Sequence, residues 1–369
     1  MTVEANAPLA RSPLHQRHVA LGARFTAFAG WEMPLQYRTV AEEHLAVRKA
    51  AGLFDVTHMG EILLSGSGAL ATVQHVTTNN AERLGPLQAQ YSLLCRPSGG
   101  VIDDLLVYCL EADQYLLCVN AANTGKDFAW VREHAVNGTQ VIDRSRDFAL
   151  LALQGPRATD ILASLATAAV ASVPRYGCTR ASLAGAPTLC SRSGYTGEDG
   201  WEIFCSWHDA PNVWDALLDA GKSFGLLPAG LAARDTLRIE AALPLYGHEL
   251  DEDTNPIEAG LGWAVRCEKC HFVGREILCE QKARGVTRKL VALLLTEPGI
   301  PRQGYTIVKD GKPVGVVTSG CKSPILGAGI GLGYVASAEA KEGNLVHVQI
   351  RHRLVPAKIV ARPLTRRDC

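Results

Sequence analysis

From residue 290 onward the chain is written in short apolar runs punctuated by glycine and proline, and that pattern leaves few folds open. The runs are 290–295, 305–308, 313–319, 330–335, 345–350 and 354–360. Each has strand length, is rich in β-branched residues and is bounded by turn residues. The segment therefore predicts a small all-β sandwich or barrel. The chain has 369 residues, more than one ordinary core accommodates, so two or three domains are expected. The polar stretch 280–288 is the natural linker. It places a first region at 1–283 and a C-terminal β domain at 284–369.

Upstream, helices and strands alternate, so the whole is an α+β protein. A short helix is expected over 14–21, and a shaped loop after a strand over 24–34. Thr39-Val40-Ala41-Glu42 has the form of a capping box and Gly52 that of the matching stop, predicting a helix over 40–51. Strands at 61–64, 91–95, 101–108 and 114–119 read as a meander. A helix over 125–134 and a strand over 148–153 follow, then a helix opened by Gly155-Pro156 and strands at 188–193 and 201–205. An amphipathic helix over 211–224 puts Val213, Trp214, Leu217 and Leu218 on one face. A last helix over 231–242 carries Arg234 and Arg238 one turn apart.

The 37 basic and 37 acidic residues cancel, which gives no clustered cationic footprint for nucleic acid. No apolar run approaches the roughly 18 residues of a membrane span. Met1 to Ala10 has no basic start and no apolar centre, so it is not expected to be a secretory leader. A cytoplasmic setting follows, and with it reduced thiols for the 11 cysteines.

Two stretches carry chemistry. In Gly99-Gly100-Val101-Ile102-Asp103-Asp104-Leu105, neighbouring carboxylates on a strand point to opposite faces. They cannot form a paired acid and base in one pocket. One faces the interior side, where it needs a partner. The stretch is equally a hairpin with polar residues near its turn. In Ser193-Gly194-Tyr195-Thr196-Gly197-Glu198-Asp199-Gly200, three glycines allow close approach of a ligand. Glu198 offers two acceptor oxygens to a guanidine-like edge such as an aminopyrimidine ring. A decorated turn is the plainer reading. Arg234 is either a helix-surface residue or an anion clamp.

Other motifs lead nowhere. Cys267-Glu268-Lys269-Cys270-His271 has the haem-attachment form without an export signal, and zinc would need further ligands, with Cys279 the nearest thiol. The glycines at 327, 329, 331 and 333 have the wrong spacing for a dinucleotide loop and are read as a flexible turn. These residues alone give a multi-domain protein with a cleft bearing Asp103 or Asp104, Glu198, Tyr195 and Arg234, and no metal, flavin or phosphate loop.

A wider set of motifs narrows this. Phe28-Ala29-Gly30-Trp31-Glu32-Met33-Pro34, Leu53-Phe54-Asp55-Val56-Thr57-His58-Met59, the two stretches above, residues 230–240 and Val316-Val317-Thr318-Ser319-Gly320 occur in this order. Over roughly 14–362 the chain resembles the folate-dependent aminomethyltransferase family of the glycine cleavage system. The resemblance implies a three-domain cloverleaf, with two interleaved α+β domains around a central folate cleft plus a C-terminal β-barrel. It implies transfer of the methylene carbon from the aminomethyl-lipoyl arm of the H-protein to tetrahydrofolate, with ammonia released. It carries Asp104 over as the interior catalytic carboxylate, so that replacing Asp103 should matter much less. Glu198 carries over as the pterin ligand and Arg234 as a substrate-binding residue. Met59, Tyr91, Asn120, Tyr195 and Trp263 carry over as lining of the cleft.

Relatives in iron–sulfur protein maturation carry Cys-aromatic-x-Gly-Gln-Glu where this chain has His271-Phe272-Val273-Gly274-Arg275-Glu276. Amine dehydrogenases that share the module add a flavin domain that is not read here. A non-catalytic folate-binding or scaffold protein, or another folate-dependent methyl or aminomethyl transferase, are the alternatives. Charge clustering at Arg266, Lys269, Arg275 and 282–288 suggests a basic face for an acidic H-protein.

Overall fold

The computed structural model describes residues 8–365. The leader reading of Met1 to Ala10 therefore falls mostly outside the described residues. The chain divides into two compact units. One takes the chain through Glu61, then Asp143–Gly194 and Glu198–Arg234; the other takes Ile62–Ile142, Tyr195–Gly197 and everything from Asp235 on.

The first unit is built on a six-stranded sheet. Its order is Cys178–Leu183, Ala186–Ser191, Gly200–Ser206, Phe148–Gln154, Ala51–Asp55 and Leu226–Pro228. Only the last pair is parallel. Helix Ala210–Gly221 buries Val213, Trp214 and Leu217 completely against Leu151, Leu153 and Ile203. Each such side chain contributes about 1.5–3 kcal/mol relative to exposure. The capping box forms as the residues dictate: Thr39 Oγ1 accepts from Glu42 N, and the Glu42 carboxylate accepts from Thr39 N.

Gly52 is not the stop of that helix. Helix Val40–Lys49 ends before it, and Gly52 lies in strand Ala51–Asp55, where a Cβ would meet Val47 Cγ2 at 2.4 Å. The glycine answers close packing rather than a turn. Residues 24–36 form a hairpin, Arg24–Phe28 against Trp31–Gln36, rather than a loop after a strand. Ala29 and Gly30 both have positive φ, the geometry of a tight two-residue hairpin turn.

The second unit holds a five-stranded sheet ordered Gln88–Cys95, Val101–Glu111, Gln114–Val119, Gly60–Ser65 and Gln140–Asp143. Gly100 is required at the start of the second strand, since a Cβ there would lie 1.8 Å from the Glu252 carbonyl oxygen.

The same unit carries the C-terminal barrel. It is closed, ordered Arg288–Leu295, Gly329–Ala336, Lys312–Lys322, Thr306–Lys309, Leu345–Ile350 and Arg353–Val360. Leu293 sits opposite Ile359 where the barrel closes. Val291, Leu293 and Leu295 point into its core, while Leu290 and Ala292 pack outside it on Ala242 and Tyr334. Gly329, Gly331 and Gly333 belong to a strand, not a flexible turn. A Cβ at each would press on the backbone oxygens of Gly299, Ser319 and Val316 respectively. The alternate glycines mark the face where neighbouring chain approaches. The polar stretch read as a linker is largely the end of helix Arg275–Arg284. Its exposed charges satisfy a helix surface as well as they would a loop.

Candidate active site

In the second unit, Tyr91 pairs across the sheet with Leu106, and Asp104 with Leu93. Tyr91 and Asp104 are thus diagonal neighbours on one face. The Tyr91 hydroxyl donates to Asp104 Oδ2 at 2.9 Å. Trp263 stacks on Tyr91 with ring centroids 5.5 Å apart and is 52% exposed, so one face of this aromatic pair is open. Tyr195 donates its hydroxyl to the Pro244 carbonyl.

Asp103 points to the other face, as strand geometry requires, and the interior assignment within the pair is reversed. Asp103 is fully buried, whereas Asp104 is half-buried. Asp103 accepts from Asn120 N (2.9 Å), Asn120 Nδ2 (2.9 Å) and Asn123 Nδ2 (2.6 Å). These donors replace the water it has lost. The opposite faces do not separate the two carboxylates, because Asn120 sits just past the end of strand Gln114–Val119 and its amide reaches both. Asn120 Nδ2 lies 2.9 Å from Asp104 Oδ1 as well. Burial and, next, the charge of Asp103 push the Asp104 carboxyl up to about 7, against the donors Tyr91 and Asn120. A carboxyl near neutrality can hold or release a proton under working conditions. Burial and the Asp104 charge hold the Tyr91 phenol protonated.

In the first unit, Glu198 Oε1 accepts from Arg48 Nη1 at 2.9 Å, both side chains being about one-tenth exposed. Arg48 lies in the helix of the capping box and no sequence motif marked it. Half-buried Arg234, in the first turn of helix Leu231–Glu240, is close enough to disfavour a charge on His58. Burial first, and then the Arg234 charge, push the buried His58 imidazole down to about 4, which keeps it neutral. Half-buried Met59 follows it in the chain. Arg238, one turn beyond Arg234, is structural: it donates to Asp235, Glu249 and Ser319 and is buried.

The basic cluster read as a docking face is mostly spent inside the chain. Lys269 is buried and donates to the carbonyls of Thr77 and Asn79; burial pushes its ammonium down to about 7. Arg275 donates to the carbonyls of Lys269 and Cys267, and Lys282 to those of Gly262 and Val265. Arg288 pairs with Glu258 and Arg284 with Glu280. Lys269, Arg275 and Lys282 are thus directed to backbone carbonyls of the chain itself, and Arg284 and Arg288 to its own carboxylates. Cys267 is bonded to Cys279, so the thiols are not all reduced. The two sit 12 residues apart in sequence and meet because helix Arg275–Arg284 folds back on the 267–271 loop.

Two family models match in sequence. The GCVT N-terminal domain covers residues 14–269, and the glycine cleavage T-protein C-terminal barrel domain covers 288–365. This chain belongs to the glycine cleavage T-protein family. An aminomethyltransferase from Bacillus subtilis is 47% identical over 361 residues, covering 97% of this chain and 100% of the relative. One from Symbiobacterium thermophilum is 50% identical over 369 residues, covering 98% of each. The glycine cleavage system aminomethyltransferase T of Bartonella henselae has the same fold, with a TM-score of 0.90 at 36% identity, covering 97% of this chain and 98% of that one. As a T-protein family member the chain is an aminomethyltransferase, and the closed barrel of residues 288–360 is the family's C-terminal domain. Among the described residues no helix is long and apolar enough to cross a membrane.

Proposed function

We propose that this T-protein transfers the methylene carbon of an aminomethyl-lipoyl H-protein to tetrahydrofolate, giving 5,10-methylenetetrahydrofolate, ammonia and the reduced lipoyl thiol. The carbon exchanges its bonds to sulfur and to the amine for bonds to N5 and N10 of the folate; two N–H protons leave with the thiol and the ammonia. Asp104 is the catalytic carboxylate. The observation that carries this reading is its half-buried carboxyl, raised to about 7 between the Tyr91 hydroxyl and the Asn120 amide. A group of that acidity orients an amine in one protonation state and handles its proton in the other.

Glu198, held by Arg48, receives the aminopyrimidine edge of the pterin. The open face of the Tyr91–Trp263 stack suits a flat ring. Arg234 holds a carboxylate of the substrate, and Met59, Asn120 and Tyr195 are further residues assigned to folate contact. No nucleophile of the protein is needed; positioning and electrostatics supply the rate. The reading assigns residues 1–283 to the folate-binding region and 284–369 to the barrel domain, and places the enzyme in the cytoplasm.

The test is product formation by the purified protein given tetrahydrofolate and aminomethylated H-protein, with ammonia followed in parallel. Equal release of methylenetetrahydrofolate and ammonia is expected. Folate binding without turnover would instead support a scaffold protein.

A further inference from the structure

Beneath the site lies a third carboxyl that none of this uses. Asp127 is in the first turn of helix Thr124–Glu133 and is completely buried. Neither of its oxygens receives an N–H or hydroxyl donor. It lies one turn past Asn123, so the two side chains share a helix face. That face meets Asp103: Asn123 donates to it, and the buried Asp127 carboxyl, which has no donor of its own, lies close enough to Asp103 for the two carboxyls to act on each other. Two carboxyls so placed, away from water, hold one proton between them. Asp103 already has three N–H donors. The proton therefore belongs on Asp127, which has none.

We propose that Asp127 is a positioning residue for Asp104: as the neutral acid it donates to Asp103, and this fixes both the Asp103 charge and the Asn120 amide that reaches Asp104. The inference rests on the reading of Asp104 as the catalytic carboxylate. Its charge balance is consistent. Burial and then the Asp103 charge push the Asp127 carboxyl up to about 11, with Lys126 as the opposing charge. Lys126 is directed elsewhere, to the Ile102 carbonyl, the Tyr246 hydroxyl and Glu252. The remaining groups facing the cluster, Tyr91 and Tyr246, are phenols held protonated, chiefly by burial. Asn120 Nδ2 has two hydrogens for three acceptors: Asp103 Oδ1, Asp104 Oδ1 and the Asp104 carbonyl. The orientation of the amide is thus set by how firmly Asp103 is held.

The test compares Asp127→Val, Asp127→Asn and Asp104→Asn by pH–rate profile. Without its donor, the Asp103 charge is held less firmly and weighs less on Asp104. The Asp103 charge outranks the Asn120 hydrogen bond in setting Asp104. The acid limb of kcat in Asp127→Val is therefore expected at lower pH by about half a unit or more, with kcat down about tenfold and the tetrahydrofolate KM within about twofold. Asp127→Asn, whose amide can still donate, should recover most of that loss. An Asp127→Val profile that superimposes on the wild type overturns the inference. If Asp104→Asn keeps the wild-type limb, the Asp104 reading fails instead. Should Asp127→Val not fold, infrared difference spectra of wild type minus Asp127→Asn at about pH 9 decide. A protonated carboxyl C=O band is expected in the wild type, and its absence would overturn the assignment.

Discussion

The Tyr91 hydroxyl donates to Asp104 Oδ2 at 2.9 Å, and this bond opposes the burial that raises the Asp104 carboxyl to about 7. Removing the donor leaves burial and the Asp103 charge less opposed. In Tyr91→Phe the acid limb of the pH–rate profile is expected to move up by about one unit, with the rate at neutral pH down about fivefold. A limb that stays in place would separate Tyr91 from the titrating group.

Asp104→Asn and Asp103→Asn should fail in different ways. Asp104→Asn keeps shape and fold, and turnover is expected to fall by a factor on the order of 10² or more. Asp103→Asn turns an amide N–H towards donors that now serve an anion. It is expected to cost about 2–4 kcal/mol of stability, seen as a lower thermal midpoint. The complete burial of Asp103 adds this stability cost to the milder effect on turnover expected from sequence.

Glu198→Gln removes the charge that Arg48 meets at 2.9 Å. The dissociation constant for tetrahydrofolate, by titration calorimetry, is expected to rise about tenfold, the loss of a charge-assisted hydrogen bond. An unchanged constant would remove Glu198 from the pterin contact.

His58 should give the fold an acid sensitivity of its own. Its folded-state value of about 4 lies below the ordinary 6.5, so the unfolded chain takes the proton first as pH falls. The stabilisation is whole above about pH 6.5 and is lost between there and about pH 4, to a total of about 3 kcal/mol. In His58→Gln the thermal midpoint should vary less over that range than in the wild type.

Much of the architecture was legible in the chain. The runs after residue 290 predicted strands because strand length, β-branching and turn residues are local properties; the barrel has all six. The Thr39–Glu42 capping box was legible for the same reason, and so was the buried face of helix Ala210–Gly221. Glycine was read less well. At Gly329, Gly331 and Gly333 it answers the approach of other segments, and at Gly52 the Val47 side chain five residues back; a local pattern cannot distinguish such close packing from a turn.

Residue type and spacing were enough for most of the elements, for the family and for the positions of the Asp103-Asp104 pair and Glu198. Folding settles which carboxylate is buried, that Asn120 bridges the pair, that Arg48 meets Glu198 and that Asp127 lies near Asp103. It also settles that Lys269 and Arg275 are spent on backbone carbonyls, and that Cys267 meets Cys279. The physical reason is the same in each case. The free energy of a buried charge depends on the donors that reach it, and those come from segments the chain brings together only on folding.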